Sequence, residues 1–202
     1  MIRKYATSAA KILSAIAVMA LANVAHAQDV EVVDMQQGNP DAKVTIIEYA
    51  SFTCPHCANF HKDQYQELKT NYIDTGLINF VYREVYFDRY GLWASMVARC
   101  DDTKYFGVSD LIYNGQSVWA KGTPAEIADN LKKIGRVAGL SEDQLSACLS
   151  DADQAQSLFA WYKANAEADG ITSTPSFLIN GEDQANASYA EFAAIIDEKL
   201  AE

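Results

Sequence analysis

Two cysteines stand with two residues between them in the run Ser51-Phe52-Thr53-Cys54-Pro55-His56-Cys57-Ala58-Asn59-Phe60. The run follows a strand-like stretch, Val44 to Ala50, and opens a helix. Thiols three positions apart on a helix's first turn are neighbours, close enough to close a small disulfide. A thiol at a helix N-terminus also feels unpaired backbone N–H groups and the positive end of the helix dipole. Both favour thiolate over thiol, so the Cys54 pKa is expected to fall. Pro55 sits in the first turn, where its missing N–H does no harm. His56 can donate a hydrogen bond or carry positive charge beside the sulfur. Stabilising the reduced thiolate makes the disulfide easier to reduce and so a stronger oxidant. Cys54 and Cys57 therefore read as a redox dithiol that gives its disulfide away.

Other residues bear on that chemistry. Glu48 is the one charged residue of the strand-like stretch. It is either an edge residue reaching solvent or a carboxyl buried beside the dithiol. In the second case desolvation raises its pKa and it can exchange protons with Cys57. His61, one turn beyond Cys57, is expected to face solvent. Cys54, Cys57 and His61 together could bind a soft metal. Structural zinc usually takes four ligands, however, and no second Cys/His cluster with finger-like spacing is present. No metal is expected, and no cofactor beyond the redox-active Cys54-Cys57 pair.

The elements that must position these groups are legible as patterns. Val30 to Val33 reads as a short β-run, followed by a turn at Gly38-Asn39-Pro40. Val44 to Tyr49 reads as a buried strand, the helix from Cys54 runs to about Thr70, and Ile78 to Val85 is the next strand. Strand, helix and strand form a right-handed parallel crossover. The cysteines then fall at the carboxyl end of the central strand, where open α/β sheets place their sites. About Tyr90 to Asp169 is helical. Thr123-Pro124-Ala125-Glu126 and Ser141 with Gln144 are capping boxes, and Asp151 opens a further helix. Pro175 cannot sit inside a central strand, so it precedes a strand, Ser176 to Ile179, that ends in the turn Asn180-Gly181. Ser188 and Glu191 cap a final helix.

The chain has 202 residues and a net charge of −11. Its first 27 residues read as an export signal: a basic start (Arg3, Lys4, Lys11), an apolar core (Ile12 to Leu21) and a cleavage site after Ala27. Without those three cations, 13 basic residues face 27 acidic ones, a net of −14. No basic patch exists to neutralise phosphates, which argues against nucleic-acid or anionic-lipid binding. The four cysteines, Cys54, Cys57, Cys100 and Cys148, allow three pairings. In an oxidising compartment a structural Cys100–Cys148 disulfide is favoured over two buried thiols.

Cys54-Pro55-His56-Cys57, with Glu48 and Phe52 ahead of it and Thr174-Pro175 far downstream, resembles the DsbA family of periplasmic thiol-disulfide oxidoreductases. The resemblance spans nearly the whole chain after the signal. It implies an α/β, thioredoxin-like fold with an inserted α-helical subdomain. The division is then a signal (1–27), a discontinuous thioredoxin-like domain (28–88 and 170–202) and a helical insert (89–169). It also implies a periplasmic monomer that oxidises cysteine pairs in unfolded or newly exported proteins, reoxidised by a DsbB-like membrane oxidase. Cys54 would be the exposed reactive sulfur and Cys57 its buried partner. Glu48 would relay protons, and Thr174 with a cis Pro175 would face the motif and position substrate. Thr before this proline also occurs in isomerase-like relatives, so a reductase or isomerase is the second reading. A metal carrier using Cys54, Cys57 and His61 is the third.

Overall fold

The computed structural model describes residues 30–202. The export-signal assignment and its cleavage after Ala27 lie outside the described residues. Five strands form one mixed sheet in the order β1-β3-β2-β4-β5: β1 (Met35–Gly38), β2 (Val44–Ala50), β3 (Ile78–Glu84), β4 (Ser176–Ile179) and β5 (Glu182–Gln184). β2 is central. It pairs in parallel with β3, from Val44↔Ile78 to Ala50↔Glu84, and antiparallel with β4.

The alternation along β2 decides what each side chain meets. Val44, Ile46, Glu48 and Ala50 share one face and are almost completely buried. Tyr49 points to the other face, into a smaller cluster with Val85 and Leu178. Glu48 is thus carried into the main core by the same period that buries Ile46 and Ala50.

One expectation about strands fails, and one strand had no expectation. Val30 to Val33 forms no strand, and Val30 and Val33 are exposed; the first strand starts at Met35, which is buried. Gly38 ends it at φ 87°, where a Cβ would fall 2.2 Å from the Ile78 carbonyl oxygen, so only glycine fits this close approach. β5 is acidic and has no apolar alternation, so nothing in its sequence marks it. It is an edge strand held by pairing to β4 after the Asn180-Gly181 turn, and charged residues suit such an edge.

After β2 the chain enters helix α1 (Pro55–Phe60). The run continues as π-helical turns at His61–Tyr65, an α turn at Gln66–Leu68 and π turns at Lys69–Ile73. Phe60, Tyr65, Leu68 and Tyr72 are its buried stripe. Between β3 and β4 lie α2 (Arg89–Ala98), α3 (Tyr105–Trp119), α4 (Pro124–Val137), α5 (Glu142–Ser150) and α6 (Ala152–Ala168); α7 (Tyr189–Ala201) closes the chain. Thr123/Glu126, Ser141/Gln144 and Ser188/Glu191 are reciprocal capping boxes at the starts of α4, α5 and α7. Val97, Tyr105, Ile112, Leu131 and Leu145 join the helices to the main core, while Leu158 of α6 packs with Tyr86 and Met96 in a separate cluster. α7 closes the core through Phe192, whose ring lies 5.8 Å from Phe60 and 5.0 Å from Phe177.

A buried ion pair ties β3 to these helices. Arg99 donates to both carboxylate oxygens of Glu84 at 2.6 and 2.8 Å, and the Tyr105 hydroxyl donates to Glu84 at 2.8 Å. The bidentate geometry and third donor offset the desolvation of both charges. Among the described residues no helix is long and apolar enough to cross a membrane.

Candidate active site

The site is built where β2 hands the chain to α1. Ser51 to Cys54 form a tight turn, closed by the Cys54 N–H donating to the Ser51 carbonyl at 3.0 Å. The Thr53 hydroxyl donates to Asp88 at 2.9 Å, and Asp88 in turn caps α2 through the N–H groups of Tyr90 and Gly91. Cys54 occupies the N-cap of α1 in extended conformation and Pro55 follows in the first turn. Cys54 is half-buried, whereas Cys57 is fully buried, and both are thiols in this structure.

Their surroundings drive the two sulfurs apart. Cys54 is lowered from 9.0 to about 5, first by a hydrogen bond from the Cys57 thiol. Burial opposes this, while Thr174 and the backbone N–H groups of Cys57 and His56 support it. Cys57 is pushed up, chiefly by burial, then by the hydrogen bond it gives Cys54 and by the neighbouring Glu48 and Cys54 charges. One sulfur is therefore an accessible, stabilised thiolate and the other a thiol held neutral.

Glu48 is the neighbouring acid. In register it lies between Tyr82 of β3 and Phe177 of β4. It is 1% exposed, and neither carboxyl oxygen has a hydrogen-bond partner among the described residues. Burial raises its pKa well above the ordinary value, and the Cys54 charge adds to the rise. Burial without a partner thus favours the neutral, protonated form of this carboxyl.

Thr174–Pro175 is a cis peptide directly before β4. It brings the Thr174 carbonyl oxygen within 3.5 Å of the Cys54 sulfur, and the Thr174 hydroxyl is buried with no hydrogen-bond partner among the described residues. Residues 120 apart in sequence thus meet at one sulfur.

Of the two histidines near the pair, His61 differs from its sequence reading. His56 is exposed, and no hydrogen bond to its ring occurs among the described residues. What residue 56 supplies to Cys54 is its backbone N–H. His61 is not solvent-facing: it is 4% exposed. Its Nε2 lies 2.6 Å from Asp110 of α3, and its ring stacks on Tyr65 at 4.2 Å and against Tyr113 at 4.6 Å. The reason is tertiary. α3 covers this side of α1, and Asp110 provides the acceptor that makes burial of an imidazole tolerable. With His61 committed to Asp110, Cys54, Cys57 and His61 do not form a ligand set; among the described residues no group of three His, Cys, Asp or Glu side chains could hold a metal ion.

Cys100, in the turn after α2, is bonded to Cys148 of α5, with Cα atoms 5.8 Å apart. The bond lies within the helical segment and leaves Cys54 and Cys57 as the free pair.

Gln116 of α3 had no signal in the sequence. Its buried amide donates to the Phe52 carbonyl at 2.8 Å and the Cys54 carbonyl at 2.9 Å. A lone glutamine in a helix resembles many others until the fold brings it to the turn.

A central parallel strand, a dithiol at the start of the following helix and a cis proline facing it define a thioredoxin-like fold with a paired-thiol site. The family model described as Thioredoxin matches residues 30–198, and the chain belongs to that family. A Rickettsia bellii protein named as a candidate protein-disulfide oxidoreductase is 36% identical over 171 residues, 84% of this chain and 65% of that protein. The chain thus spans less than two thirds of that relative's length. Among solved structures, alpha-DsbA1 of Wolbachia pipientis is similar with a TM-score of 0.76 and 27% identity, covering 83% of this chain and 91% of that one. Oxidised BdbD of Bacillus subtilis shares the fold with a TM-score of 0.74 at 19% identity, over 84% of this chain and 94% of that one.

Proposed function

We propose that this chain is a periplasmic protein-disulfide oxidoreductase that donates the Cys54–Cys57 disulfide to cysteine pairs of unfolded, newly exported proteins. The observation that carries the reading is the asymmetry of the pair: an accessible Cys54 lowered to about 5 beside a buried Cys57 pushed up. The name of the Rickettsia bellii relative and the likeness to alpha-DsbA1 support it.

In the first step a substrate thiolate attacks Cys54 Sγ of the disulfide. The Cys54–Cys57 bond breaks, a mixed disulfide forms at Cys54, and Cys57 leaves with the electron pair. A thiolate is unfavourable in its buried position, so it takes the proton that Glu48 holds beside it. In the second step the substrate's other thiolate attacks its partner sulfur in the mixed disulfide. The substrate disulfide closes, and Cys54 leaves as the stabilised thiolate. The substrate has lost two electrons and the Cys54/Cys57 pair has gained them, and Glu48 regains a proton from solvent. Thr174 and Pro175 offer backbone beside Cys54 to an extended substrate segment, in the manner of strand addition. The helices from 89 to 169 act as a subdomain over this site. A DsbB-like membrane oxidase would reoxidise the pair.

The test is equilibration with defined ratios of reduced and oxidised glutathione, with the state of Cys54 and Cys57 read by thiol trapping. A potential above about −180 mV is the expected result for a disulfide donor; a value near about −270 mV would mean a reductant and overturn the reading.

A further inference from the structure

We propose that Gln116 is a positioning residue of the thiol site: its carboxamide, carried by α3, holds the two carbonyls that bracket the Cys54 turn and so tunes the reactivity of the Cys54 sulfur. The inference deepens the oxidoreductase reading and rests on it only for its consequence in exchange.

The contacts are specific. Nε2 of Gln116 carries two N–H donors, and it lies 2.8 Å from the Phe52 carbonyl oxygen and 2.9 Å from that of Cys54. Among the described residues the Phe52 carbonyl has no other partner, and the Cys54 carbonyl has one more, the Ala58 N–H at 3.2 Å. Gln116 is 9% exposed on a helix whose other buried residues include Ile112, Tyr113 and Trp119. An apolar residue would fill that position without needing a partner. A buried carboxamide is tolerated because its donors are satisfied, and here both hydrogen bonds go to the thiol turn.

Two effects on the sulfur follow. A carbonyl oxygen is the negative end of its peptide dipole, so a Phe52 carbonyl left unpaired and a Cys54 carbonyl held by Ala58 alone would oppose a thiolate there; the amide donors offset that charge and fix its direction. The hydrogen bond to the Cys54 carbonyl also fixes the extended N-cap conformation, with ψ at 118°. That conformation presents the His56 and Cys57 N–H groups to the sulfur, and Pro55 has none to present. With only the Ala58 N–H left to hold the carbonyl, the cap is less restrained and both contacts weaken. Gln116 lies 62 residues from Cys54, so the helical segment reaches the reactive sulfur through a direct hydrogen bond.

The test uses the whole exported chain with Gln116→Met, which has similar length and no donor, and Gln116→Asn, which holds its donors one methylene short. Thiolate absorbance during acid titration reads Cys54 directly. The expected result is a rise of about half to one pH unit in its midpoint in both variants, with a glutathione equilibrium shifted about three- to tenfold toward the disulfide. Folded variants that titrate with the wild type overturn the inference. So does a lowered melting temperature with an unmoved Cys54 midpoint, because Gln116 would then only pack. If Gln116→Met does not fold, Gln116→Asn gives the same reading. The titration needs no substrate. A wild-type protein that fails to oxidise reduced peptides would sink the functional proposal and leave this measurement standing.

Discussion

Replacing Glu48 with Gln removes the proton and leaves the shape, and the consequence can be worked through stability before any turnover is measured. In the folded chain Glu48 is buried with both oxygens unpaired, and its pKa lies well above the ordinary 4.5 because burial disfavours its charge. In the unfolded chain it ionises normally. Between those two values the native state binds one more proton than the unfolded state, so wild-type stability falls as pH rises. The slope is about 1.4 kcal/mol per pH unit for one proton. Glu48→Gln has no such proton. Its amide leaves new donors unpaired, a penalty of about 1–3 kcal/mol that does not depend on pH. The variant is therefore expected to be less stable than wild type below about pH 4.5 and to gain on it by about 1.4 kcal/mol for each unit above, while Glu48 stays protonated. Urea unfolding of the oxidised protein, followed by tryptophan fluorescence at several pH values, isolates the effect because Cys54 and Cys57 then do not titrate. Wild-type and variant curves that run parallel from pH 4 to 7 would refute the buried neutral carboxyl, and with it the proton assigned to Cys57. The same variant is expected to slow single-turnover reduction about 10²-fold at neutral pH, the low end for a general acid.

Alkylation of the reduced protein by iodoacetamide should rise through pH about 5 and then level, because Cys54 is already ionised there; a rate that keeps rising to about pH 8.5, as for an ordinary thiol, would contradict the assignment. The Cys54 ionisation also stabilises the reduced fold, fully above the ordinary cysteine pKa, and that contribution is lost as pH falls through about 5. Arg99→Met should cost about 3 kcal/mol in urea unfolding, since Glu84 at 1% exposure loses its bidentate partner; a loss under about 1 kcal/mol would mean the pair contributes little. Removing both Cys100 and Cys148 as alanines opens a link across 48 residues and should cost about 4 kcal/mol by chain entropy, and an unchanged urea midpoint would count against that account.

The sequence by itself determined what is local. Cys54 and Cys57 at a helix start, Pro55 in its first turn, the three capping boxes and the Asn180-Gly181 turn depend on neighbours a few residues away, and their side chains carry the instruction. β2 and β3 were legible because β-branched and aromatic residues make an almost continuous apolar run. The edges were not: the first strand begins at Met35 rather than Val30, and acidic β5 exists because β4 offers it a ladder.

The tertiary structure alone decided the environment of the reactive groups. Nothing near His61 in sequence indicates burial; Asp110, 49 residues away, makes it possible. Glu48 could have been an edge residue until β3 and β4 flanked it, and packing brings together Cys100 and Cys148, the pair the sequence already favoured. Gln116 acquires its contacts from α3 crossing the thiol turn. The physical reason is common to all four. Desolvation and hydrogen-bond partnership are properties of what surrounds a group, and here the surroundings come from segments tens of residues distant, which no local pattern encodes.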